Sequence, residues 1–181
     1  MHRLLPVDKA TDILPEYVGT PIADLLSYHN LGADFRSYDV AELLIGMCMD
    51  NRKSLRIPDN FAFVLRTGGA NLQKTVFKVS FAIAVGGVTT IAIIGHTQCG
   101  MVNLESRKEQ FIEGLITRGG ATRELAVEHF ERFSPKSEII NEVDFVLSEV
   151  RRLRETYPKI KIAPLIYRVE DNRLYQIKEG E

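Results

Sequence analysis

Three short apolar runs do most to limit what this chain can fold into. They are AELLIGMCM at 41–49, FAFVLR at 61–66 and TTIAIIG at 89–95. None alternates apolar with polar residues, so each reads as a strand buried on both faces. The third is rich in β-branched residues, which suit a pleated core. A helix-length segment separates the second run from the third. Asn71 can cap a helix over 72–85 that is apolar at Leu72, Val76, Val79 and Ile83 and is stopped by Gly86-Gly87. Strand, helix, strand at this spacing is a βαβ unit with a right-handed crossover. The expected fold is α/β, with a mainly parallel central β-sheet flanked by helices.

The remainder fits one domain over residues 1–181. Residues 1–19 hold Pro6, Pro15 and Gly19 and little periodicity, so they read as an extended arm. Thr20-Pro21 starts a helix over 21–29, with Thr20 as cap and proline at the first helical position. The arm and helix, residues 1–30, look too poor in apolar residues to form a core alone, which agrees with packing on a partner subunit. Helices are expected over 101–117, 121–132 and 137–156, separated by Gly119-Gly120 and Ser134-Pro135. KIAPLIYRVEDNRLYQI then reads as two strands around the turn Asp171-Asn172. Phe61, Phe63 and Phe77 are assigned to the core.

Charge excludes some functions. The net charge of -1 offers no field for holding nucleic acid or an anionic membrane. The basic run Arg151-Arg152-Leu153-Arg154 lies between Glu149 and Glu155 and reads as a solvated helix face. No apolar run approaches the roughly 18 residues of a membrane span. The N-terminal stretch lacks an uninterrupted secretory core, so the expected location is cytoplasmic. In a reducing compartment Cys48 and Cys99, fifty residues apart and in no CxxC pattern, suit metal binding or free thiols better than a disulfide.

In open α/β sheets, ligands gather at the carboxyl ends of the parallel strands. Cys48 ends the first run, His96 ends the third, and Cys99 follows His96 by one tight turn. The topology therefore brings two thiols and an imidazole to one edge of the sheet. Those are three ligands for zinc, and three protein ligands leave one tetrahedral position open for chemistry. In an extended segment residues two apart share a side, so Cys48, Asp50 and Arg52 can share a face. A bidentate guanidinium would hold Asp50 ionised and aimed. The turn Thr67-Gly68-Gly69 also offers backbone amides at a helix start, where an anion such as bicarbonate could sit.

CMDNR followed by GHTQCGM resembles the Cys-x-Asp-x-Arg and His-x-x-Cys signatures of the β-class carbonic anhydrases. FVLRTGGAN is similar to the family's Arg-x-x-Gly strand end, and residues 142–177 to its closing helix and hairpin. The resemblance runs over residues 40–177, more loosely between 103 and 136. It implies zinc held by Cys48, His96 and Cys99, and an Asp50–Arg52 catalytic dyad. It implies reversible hydration of CO2 to bicarbonate by a zinc-bound hydroxide, with Gly100, Gly68 and Gly69 on the substrate side. It further implies a homodimer or higher homo-oligomer, and a closed state in which Asp50 leaves Arg52 for the zinc. The sequence departs from the family pattern at Asn51, usually Ser, at Gln98, commonly Asp, and at Thr67-Gly68, usually Asn-Ala. The connection from Lys53 to Asn60 is also shorter. Two rival readings share the scaffold: a hydrolase of COS or CS2, and a zinc-binding homologue that is catalytically silent. Tyr28 and His29 are candidates for proton transfer if the N-terminal helix reaches the site.

Overall fold

Uncharged runs need apolar neighbours on both faces, and a covered sheet supplies them. The computed structural model describes residues 4–179. Its strands are β1 (Leu4–Leu5), β2 (Leu43–Cys48), β3 (Ala62–Thr67), β4 (Thr90–His96), β5 (Lys161–Arg168) and β6 (Arg173–Ile177). They form one sheet in the order β1-β6-β5-β4-β2-β3. The four strands from β5 to β3 run parallel, while β6 and β1 are antiparallel additions at one edge. Every residue of β2 and β4 is buried, as their lack of alternation predicts.

The helices are α1 (Pro21–Asn30), α2 (Val76–Ala84), α3 (Lys108–Gly119), α4 (Arg123–Phe133) and α5 (Glu142–Thr156). Thr20 caps α1, its hydroxyl accepting from the Ile22 N–H at 3.3 Å. On one face of the sheet α1 packs Ile22, Leu25 and Leu26 against Ile45, Met47, Ile94 and Tyr167. On the other face Val79 of α2 and Val146, Val150 and Leu153 of α5 meet Leu44, Ile91, Ile93 and Ile166. Each such side chain contributes about 1.5–3 kcal/mol on burial. Gly95 lets α5 approach β4 closely: a Cβ there would stand 2.6 Å from Val146 Cγ2. Helix α5 therefore lies directly against the strand that ends in His96.

Several expectations are corrected. FAFVLR is not buried on both faces. β3 is the outer strand of the parallel set, and Phe63 and Val64 are exposed on it. Phe61 is core, but Phe63 and Phe77 are not, Phe77 being 79% exposed. An edge strand has one neighbour instead of two, which runs of apolar letters do not reveal. The arm does find apolar company within its own chain. Leu4 and Leu5 pair with Ile177 and Gln176, and Val7, Ile13 and Tyr17 are buried with α1. The buried Gln176 amide holds it there, donating to Asp12 O at 2.9 Å and accepting from the Leu14 N–H at 2.8 Å.

The helices expected from 101 and 137 begin later, at Lys108 and Glu142. Val102 and Ile139 form a β-bridge instead, which closes the wall beside the two cysteines. The hairpin turn falls where expected, with Asn172 at φ 57°.

Candidate metal centre

Parallel strands end together, and that brings the thiols and the imidazole to one place. Cys48 ends β2, His96 ends the adjacent β4, and Cys99 follows in the turn after it. One ligand atom from each lies within 4.8 Å of the other two, and all three residues are buried. No disulfide joins the cysteines.

The hydrogen bonds around these residues leave ligand atoms free. His96 Nδ1 lies 2.9 Å from the Thr97 carbonyl oxygen. A carbonyl only accepts, so the proton is on Nδ1 and Nε2 presents a bare lone pair. That Nε2 is buried and has no hydrogen-bond partner among the described residues. A buried lone pair without a donor is costly, and a metal ion is the partner such a ring nitrogen takes. The Gly69 N–H, at φ 63°, points at Cys48 Sγ from 3.3 Å. The Cys99 N–H donates to Glu142 Oε1 at 3.0 Å, tying the turn to the first residue of α5. The Cys99 thiol donating to Cys48 lowers the Cys48 pKa, and the same pairing pushes Cys99 up. Protonation is thus shared unequally between two sulfurs that one divalent ion would hold as thiolates. The donor set fits a thiophilic ion of this kind.

Asp50 and Arg52 form the fork expected from their spacing. Arg52 Nε and Nη2 donate to Asp50 Oδ1 and Oδ2 at 3.0 and 2.8 Å, and the Arg52 N–H adds a third bond to Oδ1 at 2.9 Å. The guanidinium holds the Asp50 carboxyl well below the usual carboxylate range, against an opposing desolvation cost. Asp50 Oδ2 lies 3.9 Å from His96 Nε2, so the ionised carboxylate borders the space that the bare lone pair faces.

A family model described as carbonic anhydrase matches residues 44–174, a span that runs from β2 to the start of β6 and holds the cluster. The chain belongs to the β-carbonic anhydrase family. No curated protein matches it in sequence. Solved structures of similar fold include the β-carbonic anhydrase isoform I of Trichomonas vaginalis, at TM-score 0.63 and 21% identity over 83% of this chain and 91% of that one. The carbonic anhydrase from Glaciozyma antarctica gives 0.60 and 22% over 92% and 96%. The apo form of a carbon disulfide hydrolase gives 0.56 and 21% over 92% and 93%.

Within this β-carbonic anhydrase fold the glycines differ in surroundings. A Cβ on Gly68 would press on Met101 Sδ at 3.1 Å, whereas one on Gly100 would meet nothing within 4 Å. The Gly69 amide is turned toward a sulfur, as described. Tyr28 and His29 are engaged away from the cluster: the Tyr28 hydroxyl is 2.8 Å from that of Tyr38, and His29 Nδ1 accepts from the Arg56 N–H at 3.1 Å.

Sequence reasoning did not reveal how three residues sit around the cluster. Arg66 spans the β2 end, donating to the carbonyls of Cys48, Asp50 and Lys53 at 3.5, 3.4 and 3.2 Å. Lys53 is only 3% exposed, and its ammonium has no hydrogen-bond partner among the described residues. Glu142 looks like an ordinary acidic first turn in sequence. Only the tight α5–β4 contact makes it a clamp on Cys99. A charged residue directly following CMDNR was the one available signal for Lys53.

Proposed function

We propose that the protein is a zinc-dependent carbonic anhydrase that interconverts CO2 and bicarbonate. One observation carries the reading: His96 Nε2, buried and without a hydrogen-bond partner among the described residues, clusters with two thiols, with an ionised carboxylate 3.9 Å away. Cys48, His96 and Cys99 would hold the zinc. Bound there, zinc supplies a Lewis acid that lets water ionise near neutral pH and so furnishes the nucleophile for CO2.

Each residue of the chain then has a task. Asp50, kept ionised by Arg52, can only accept; it would take a hydrogen bond from the nucleophile and so orient its lone pair toward the carbon. Arg52 fixes the angle of that carboxylate. Gly100, with open space where a side chain would be, would give CO2 room, and the Gly68-Gly69 turn would complete the substrate side. In the cytoplasm the two free thiols stay available to the metal. No helix among the described residues is long and apolar enough to cross a membrane.

Purified protein is expected to contain one zinc per chain and to hydrate CO2 in stopped flow. Asp50→Ala should keep its zinc and lose rate on the order of a hundredfold. Release of sulfide from COS or CS2 without CO2 hydration would transfer the assignment to that hydrolase class. Bound zinc with neither activity would favour the silent homologue.

A homodimer or higher assembly belongs to the same reading. Phe63 and Val64 on the outer strand β3, and Phe77, Phe81 and Val85 along α2, leave apolar surface exposed in the single chain. Light scattering should give at least twice the 20.4 kDa chain mass; a monomer at micromolar concentration would sink this part.

A further inference from the structure

Gln98 occupies the position between the two ligands of the turn, and its backbone is left-handed at φ 58°. A non-glycine residue stays in that region only where its surroundings over-determine it. Here the surroundings are two charged side chains. Gln98 O accepts from Arg52 Nη2 at 2.9 Å, and Gln98 Oε1 accepts from Arg52 Nη1 at 3.3 Å. On its other side, Gln98 Nε2 donates to Glu170 Oε1 at 3.0 Å.

The amide has only one workable orientation. A carboxylate accepts and a guanidinium donates, so the NH2 must face Glu170 and the carbonyl must face Arg52. Rotating the amide by half a turn would set donor against donor and acceptor against acceptor. Glu170 is itself fixed. Thr97 Oγ1 donates to its Oε2 at 2.7 Å while accepting from the Val169 N–H at 3.0 Å. The hairpin between β5 and β6 is thereby connected, through one neutral amide, to the guanidinium that aims Asp50. An aspartate at position 98 would oppose Glu170 with a second carboxylate and compete with Asp50 for Arg52.

We propose that Gln98, oriented by Glu170, is the positioning residue of the Asp50–Arg52 dyad. This rests on the carbonic anhydrase reading for its kinetic consequence, though not for its structural one. Arg52 is 42% exposed at its side chain, and an arginine so exposed needs more than one anchor to hold a single rotamer. Asp50 supplies one anchor and Gln98 the other. Removing the Gln98 side chain keeps the Nη2 bond to the backbone carbonyl but frees Nη1 and cuts the link to Glu170, so the guanidinium is held on one side only and the carboxylate is aimed correctly for less of the time.

The test uses the zinc-loaded full chain. Gln98→Ala should keep one zinc per chain and lose about tenfold in kcat for CO2 hydration. The Arg52 Nε–H resonance should exchange slowly in the wild type and faster in the variant. In an Asp50→Ala background the same substitution should cause no further fall, because Gln98 acts only through the dyad. Glu170→Gln should move the Arg52 resonance in the same direction, and it decides the matter if Gln98→Ala does not fold. An unmoved Arg52 resonance, an equal further fall without Asp50, or loss of zinc from Gln98→Ala would each overturn the proposal. Wild-type protein inactive toward CO2 would defeat the anhydrase reading, while the Arg52 resonance still decides whether Gln98 positions the arginine.

Discussion

His96→Ala is expected to empty the metal site. Zinc measured by elemental analysis should fall from one per chain to near zero, and CO2 hydration should fall to the uncatalysed rate. The expectation follows from how little else the site offers. With the ring gone, two sulfurs remain, and the Asp50 carboxylate beside them is already held by four hydrogen bonds from Arg52. Two thiolates and an engaged carboxylate do not complete a set of three. A thiol reagent gives an independent reading: Cys48 and Cys99 should be protected in the zinc-loaded wild type and reactive in the variant. Stoichiometric zinc in His96→Ala would mean that the ion, if any, is bound elsewhere.

Lys53→Met should stabilise the folded chain by about 1–3 kcal/mol in denaturant titration. A buried ammonium without a hydrogen-bond partner among the described residues has lost its hydration, and the nearby negative charges offset only part of that loss. Methionine has similar length and no charge to desolvate. The pH dependence supplies a check of sign. Burial lowers the Lys53 pKa, opposed by the neighbouring negative charges of Cys48 and Asp50. Between that depressed value and the ordinary lysine value, the unfolded chain binds a proton that the folded chain does not. Stability therefore rises with pH across this window, and Lys53→Met should flatten the rise. A variant less stable than the wild type would show that the ammonium has a partner in solution.

Both expectations concern residues that the chain announces unequally. The cluster was legible because strand ends are legible. LLIGMC and TIAIIGH end in ligands, and a parallel sheet puts such ends side by side whatever the intervening chain does. The pairing of Asp50 with Arg52 was legible but its cause was not: the strand stops at Cys48, and a turn at 51–52, closed by the Arg52 N–H on Asp50 Oδ1, brings the two side chains together. What escaped was anything decided by the number of neighbours. β3 has the letters of a central strand yet lies outermost, so Phe63 is exposed while Phe61, two residues earlier, is buried. Gln98 and Glu170 are 72 residues apart and meet only because β5 pairs with β4 in a register that sets Tyr167 opposite His96. The contacts of the arm within its own chain were hidden for a related reason. Its few apolar residues are irregularly spaced because they fill separate gaps beside α1 and β6, so no periodicity marks them.

The bond from the Cys99 amide to Glu142 has a consequence for how the protein comes into being. A ribosome releases Cys48, His96 and Cys99 well before it releases the helix whose first residue tethers the last of them. During that interval the strand ends have no α5 behind them, and the sulfurs are exposed to whatever oxidant or competing metal the compartment holds. The cluster as folded therefore depends on a segment made after all three of its residues, since Glu142 at the head of α5 ties down the Cys99 turn.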